Sequence, residues 1–187
     1  MKKYWNRGVI VLGMIILSFS AFAQTDSTDQ DFVTRAIHAN RFEVAAGSQA
    51  MERSEDAAVR QYGQMLVTEH TTVLEELEKA AVAKKLMLPD AMEENHASIL
   101  KSLGSLTGND FNNAFKDIMI KSHEDAIALF TQAASGLHDS ELKSWASDKI
   151  PALKKHLEQA KALQVAPKTD PSPSPAAMAD SVKILKL

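Results

Sequence analysis

From about residue 28 to residue 164, apolar side chains return at every third or fourth position, and no stretch shows the alternation of β-branched residues that marks a half-buried strand. The pattern predicts an all-α domain. Val33, Ile37, Val44 and Met51 trace one face of a first helix over about 29–53, with Ala36, Asn40, Glu43, Gly47 and Ala50 beside them. Ser54, Glu55 and Asp56 then have the chemistry of a helix start. A second helix over about 55–87 aligns Val59, Gly63, Leu66, His70, Val73, Leu77 and Ala81, and Pro89 follows its end. A short helix over about 93–103 turns Ile99, Leu100 and Leu103 inward and ends at the Gly104 and Gly108 break. Phe111, Phe115, Ile118, Met119, Ala126, Leu129 and Phe130 belong to a helix over about 110–135 that Gly136 would stop. Asp139 caps a last helix over about 140–163, which presents Leu142, Trp145, Ala146, Ile150, Leu153, His156, Leu157 and Ala160, with Pro151 as an expected kink. Two short-looped hairpins joined by a longer crossover with its own short helix describe a four-helix bundle of ferritin-like connectivity.

Both ends of the chain depart from this pattern. Lys2, Lys3 and Arg7 precede a twelve-residue apolar run over 8–19, and Ala21-Phe22-Ala23 follows it. This is the three-part arrangement of a secretory signal peptide, with cleavage expected after Ala23. The run is shorter than the ~20 residues that a membrane-crossing helix needs. At the other end Pro167, Pro171, Pro173 and Pro175 are interleaved with Ser, Thr and Asp. The expected organisation is a signal peptide over 1–23, a helical domain over 24–164 and a Pro-rich, disordered tail over 165–187. The last apolar residues, Val182, Ile184, Leu185 and Leu187, are the part of the tail able to meet an envelope partner.

Removing the leader changes the charge. The remainder carries 18 Lys and Arg against 24 Asp and Glu, a formal charge of −6, which argues against nucleic acid as a partner. Export places the protein in the periplasm or outside the cell. The chain has no cysteine, which excludes thiolate zinc sites, iron–sulfur clusters and cysteine nucleophiles. Any metal must be held by His and carboxylate groups. No Gly-x-Ser-x-Gly elbow and no phosphate-binding glycine loop is found.

One constellation has chemical promise. Shifted by 83 positions, residues 44–63 align without gaps on 127–146, pairing Gln49 with Gln132, Asp56 with Asp139 and Tyr62 with Trp145. The same shift places His123 beside Asn40, one turn from Glu43, and His156 beside Val73, one turn from His70. Each long helix would then send one ligand-capable group inward: Glu43, His70, His123 and His156. Neutral imidazoles with a carboxylate suit one transition metal ion, Zn, Cu or Fe. The same groups also suit a buried hydrogen-bonded network that fixes helix register. About the Ser54 turn Glu43 and His70 lie 11 and 16 residues away, an axial mismatch of five residues or ~7.5 Å. Glu69 and Glu124 point about 100° away from their neighbouring histidines and are expected to face solvent or a neighbouring helix edge. His38 and His138 read as surface residues, and His96 as a lid or capping contact on the short helix.

The stretches Gln64-Met65-Leu66-Val67-Thr68-Glu69-His70, Leu106-Thr107-Gly108-Asn109-Asp110-Phe111, Met119-Ile120-Lys121-Ser122-His123-Glu124 and Ile150-Pro151-Ala152-Leu153-Lys154-Lys155-His156-Leu157 carry a family likeness. Over about 31–163 the chain resembles the bacterial family named domain of unknown function 4142. The resemblance implies a ferritin-like bundle, often exported, with Glu43, His70, His123 and His156 as its recurring polar positions. It implies no activity. The Glu-x-x-His pairs of di-iron bundles are lacking, since Val67 and Leu153 stand three residues before His70 and His156. Two functions stay open: a non-enzymatic envelope module that engages a partner through its helical surface or tail, which the sequence favours, and a metal-binding carrier, sensor or weak oxidoreductase. Convergence of the four groups would distinguish them.

Overall fold

The computed structural model describes residues 25–167; the leader with its cleavage site and the tail from 168 onward lie outside the described residues. The chain forms five α-helices, α1 (Thr25–Arg53), α2 (Ala57–Ala83), α3 (Glu94–Leu103), α4 (Gly108–Gly136) and α5 (Ser140–Ala162), and no strand among the described residues. The long helices form two hairpins, α1 with α2 and α4 with α5, and α1 packs on α4 to join them into a helical bundle. The short α3 lies against α1 and α4 in the connection between hairpins.

Local chemistry explains where the helix ends differ from the expected ones. Asp29 lies inside α1 rather than at its start, and its carboxylate makes long-range contacts. Buried, it accepts the backbone N–H groups of His138 and Asp139 at 2.9 and 3.0 Å and ties the α4–α5 turn to α1. The α2 cap is Asp56, which accepts from the backbone of Ala58 and Val59. Ser54 instead donates to Asn112 Oδ1 at 2.7 Å. α2 ends four residues before the expected Met87, since Lys85 turns left-handed at φ 58° and Leu86 N–H returns to the Ala81 carbonyl at 2.9 Å. Gly136 is the last helical residue and no left-handed stop; Leu137 leaves α4 extended and buries its side chain in the core. Asp139 caps α5 as expected, through Glu141 and Leu142 N–H.

The buried face of α1 is rotated from the predicted one. Met51 is exposed and Val44 only half-buried, while Phe42 and Ala46 are buried. The reason is a close crossing: a Cβ on Gly63 would stand 2.7 Å from the Gly47 carbonyl oxygen, and one on Gly47 equally near the Gly63 oxygen. Two side-chain-free positions let α1 and α2 touch backbone to backbone, which sets their rotation and register. Counted from this crossing, Glu43 is four residues along and His70 seven, so the mismatch falls to three residues or ~4.5 Å, within the reach of the side chains.

The core is divided in two. One apolar cluster holds Phe32, Val33, Ile37, Leu77, Phe130, Leu142 and Leu153. The other holds Phe42, Val59, Tyr62, Leu66, Leu103, Phe111, Phe115 and Met119. On every long helix the residue between the two clusters is polar and buried: Asn40 and Glu43 on α1, His70 on α2, His123 on α4 and His156 on α5. The second cluster extends past α5. Val165, expected in the unpacked tail, packs half-buried against it, and Asn113 donates to the Ala166 carbonyl at 2.7 Å.

Candidate metal centre

An ionisable layer across a helical core is costly unless every group in it finds a partner. Glu43 is 1% exposed and His123 0%, so their partners must come from the chain or from a bound ion. All four expected groups meet here. The three imidazole rings stand 5.4 to 5.8 Å apart, and one ligand atom from each lies within 4.8 Å of the others. Glu43 Oε2 is 2.8 Å from His70 Nε2 and Glu43 Oε1 3.6 Å from His123 Nδ1.

The hydrogen bonds around the layer fix each ring through one nitrogen. Asn40 donates its amide N–H to the Ala36 carbonyl, which leaves its Oδ1 as an acceptor for His70 Nδ1–H at 2.9 Å. His123 Nδ1–H donates to the Met119 carbonyl at 2.8 Å. His156 Nε2–H donates to Glu69 Oε2 at 2.9 Å. The second nitrogens, His70 Nε2, His123 Nε2 and His156 Nδ1, are buried and make no hydrogen bond. For His70 the Glu43 oxygen lies at ion-pair distance but outside hydrogen-bond geometry. At His123 and His156 a tautomer set by an outer acceptor leaves the opposite lone pair inward, the usual preparation of a histidine for a metal, while His70 Nε2 faces the Glu43 carboxylate.

Charge in the layer is balanced by its own members. Burial alone would raise the Glu43 carboxyl, but the His70 and His123 imidazoles beside it, with a 2.6 Å hydrogen bond from Ser122 Oγ, hold it well below the usual carboxylate range. Burial disfavours the His70 cation, yet the Glu43 charge outweighs it and raises the imidazole above its ordinary value. His156 is lowered, by burial first and then by the positive charge of His70. Tyr62, raised by burial and then by Glu43, stays a phenol and donates to the His156 backbone carbonyl at 3.1 Å.

Sequence reasoning missed Asn40, Ser122 and Glu69 as partners. Asn40 had a signal, an amide one turn before Glu43 on a buried face. Glu69 was expected in solvent or at a neighbouring helix edge; it is 46% exposed, and its long side chain reaches His156 on α5. Glu124 and His138 are exposed, as expected. His38 is half-buried rather than on the surface, with its Nδ1 enclosed and unpartnered. His96 stacks on Phe42 at 4.6 Å, a capping contact at the edge of a groove of about 550 Å³ between α1, α3 and α4. That groove is larger than the cavity of about 40 Å³ beside His70 and His156, and of the charges on its rim Lys121 pairs with Asp125.

The sequence matches the family profile described as Domain of unknown function (DUF4142) over residues 17–163. Two solved structures are similar in fold. One is a fragment of a domain of unknown function 305 protein from Deinococcus radiodurans, with a TM-score of 0.65 at 14% identity, covering 72% of this chain and 93% of that one. The other, an inferred secreted protein of the same domain type from Streptomyces coelicolor, has a TM-score of 0.62 at 13% identity over 73% of this chain and 91% of that one. No curated protein matches the sequence. Among the described residues no helix is long and apolar enough to cross a membrane.

Proposed function

Since the chain belongs to the family Domain of unknown function (DUF4142), we propose that it is an exported, ferritin-like bundle whose function is to bind a single transition metal ion in its core. The observation that carries this reading is the convergence of three buried imidazoles, with His123 Nε2 and His156 Nδ1 making no hydrogen bond and His70 Nε2 facing Glu43 Oε2 at 2.8 Å. His70, His123 and His156 are the ligands, and Glu43 supplies either the fourth ligand or the compensating charge. Three imidazoles and one carboxylate fit Zn, Cu or Fe, and one buried carboxylate is too little charge for two irons. Helical bundles hold such ions between facing helices.

The sequence alone leaned toward an envelope interaction module; the convergence of the four groups favours metal binding instead. Carrier or sensor roles need nothing beyond binding, and no reaction is assigned. Export through a leader cleaved after Ala23 fits the absence of cysteine from the ligand set and the family setting.

A second reading has its own support. The ionised Glu43 beside a raised His70 forms a self-neutralising pair that needs no ion. Metal analysis of the mature protein, purified from the periplasm without a metal-binding tag, separates the two. One equivalent of Zn, Cu or Fe, lost on His123→Gln, supports the metal centre. A protein that takes none of them under any loading leaves the hydrogen-bonded network.

A further inference from the structure

The cavity beside the histidines has an inner and an outer end. Glu43 and His70 line it inside; Glu69 and Val73 of α2 with Lys149 and Ala152 of α5 line it toward the surface. Two pairs bridge these helices, His156 to Glu69 at 2.9 Å and Lys149 to Glu76 at 2.5 Å. Glu69, Val73 and Glu76 lie on one stripe of α2, and Lys149, Ala152 and His156 on one stripe of α5. Between the two bridges Val73 and Ala152 line the cavity.

Toward either end of the bundle stand the two apolar clusters, with Phe130 on one side and Phe115 on the other. Toward the groove of α1 and α4, Ser122 is hydrogen-bonded to Glu43, and Phe42 is covered by His96. About 40 Å³ holds one water-sized species, so an ion fits as the cavity stands. Pro151 also leaves the Ser147 carbonyl without its helical donor, in the turn of α5 that forms the outer wall.

We propose that the seam between α2 and α5, bounded by the Glu69–His156 and Glu76–Lys149 bridges, is the path by which a divalent transition metal cation reaches the histidines, with Glu69 as its capture ligand. This rests on the metal-binding reading above. The wall of the cavity is largely aliphatic, and a cation that leaves water for such a wall needs a carboxylate to replace its hydration. Glu69 alone spans both places, 46% exposed at the mouth with Oε2 on the outer nitrogen of His156. On capture its carboxylate exchanges the imidazole N–H for the ion and passes it inward to His156 and His70. Glu76 keeps the Lys149 ammonium occupied beside the mouth.

The test uses the mature chain and Co²⁺ as a coloured probe in stopped-flow mixing, with Kd measured separately. Ala152→Phe, which plugs the seam from an exposed position, is expected to slow association and dissociation together and leave Kd unchanged. Glu69→Gln is expected to slow association about tenfold or more, the scale of lost electrostatic steering. Lys121→Phe, on the opposite groove, is the control and changes neither rate. A metal-free arm follows carbethoxylation of His70 and His156 by mass spectrometry, which Ala152→Phe should retard; Ala152→Met serves if the larger side chain prevents folding. Wild-type protein that takes up no Co²⁺ overturns the metal reading itself. Uptake with wild-type rates in the plugged and Glu69 variants, or carbethoxylation unaffected by the plug, overturns the seam while the centre stands.

Discussion

Gly47 and Gly63 meet so closely that each carbonyl oxygen stands 2.7 Å from where the other residue's Cβ would be. The obstacle is backbone, so it cannot swing aside. Gly63→Ala should therefore destabilise the fold by about 1–3 kcal/mol, the usual cost of overpacking. It should also weaken metal binding, because the crossing sets the register of Glu43 against His70. Chemical denaturation and Co²⁺ titration on one preparation check both effects.

At 100 times the dissociation constant, a metal bound only by the folded state adds about 2.7 kcal/mol of stability. That increment should appear in wild type and vanish in His123→Gln. In metal-free protein the same substitution should cost about 1–3 kcal/mol, since it disturbs a buried, hydrogen-bonded side chain. Equal stabilisation of wild type and variant by metal would place binding elsewhere, His38 and His138 being the remaining candidates.

The layer should respond to pH in opposite senses at two histidines. The raised His70 contributes stability in full below its unfolded pKa of about 6.5 and loses it as pH rises through the higher folded value. Wild type should thus gain over His70→Gln most on the acid side of 6.5, down to the region near about 4.3 where unfolded carboxylates protonate. His156, lowered by burial and by the His70 charge, contributes above about 6.5 and loses its contribution as pH falls. The increment from bound metal should grow with pH in the same range, because protons compete for the imidazoles. Urea titrations from about pH 4.5 to about 8, a range that brackets the unfolded histidine value of about 6.5, with and without chelator, read all three.

Asp29 holds the α4–α5 turn through two backbone N–H groups. Asp29→Ala leaves both donors without an acceptor inside the protein and should cost about 1–3 kcal/mol. Faster amide exchange at His138 and Asp139 is the local signature.

Removing residues 168–187 should shift Tm by no more than about 2 °C, less than 1 kcal/mol for a domain of this size. Truncation after Leu163 should lower it further, because Val165 packs on the second cluster and Ala166 accepts from Asn113. Thermal melts of the two truncations against the mature chain give the comparison.

Periodicity was enough to reveal the helices, since a buried stripe must recur every three or four residues whatever it packs against. The same rule brought His70 and His156 to inward positions among apolar neighbours, and the 83-residue shift set His123 beside Asn40, one turn from Glu43. Caps were legible where they are local, as at Asp139, whose carboxylate meets the N–H groups of its own first turn. The role of Asp29 was not legible, because its partners are 109 and 110 residues away. Nor does periodicity fix rotation to better than a residue or two; the meeting of two glycine backbones exposes Met51 and buries Phe42. Which nitrogen of each histidine stays free depends on Asn40, the Met119 carbonyl and Glu69, two of them supplied across helices. Local sequence determines what a residue is and which way its helix turns it. Only the packing of helices against one another decides what it meets, and in this protein that meeting made four separate polar positions into one buried layer.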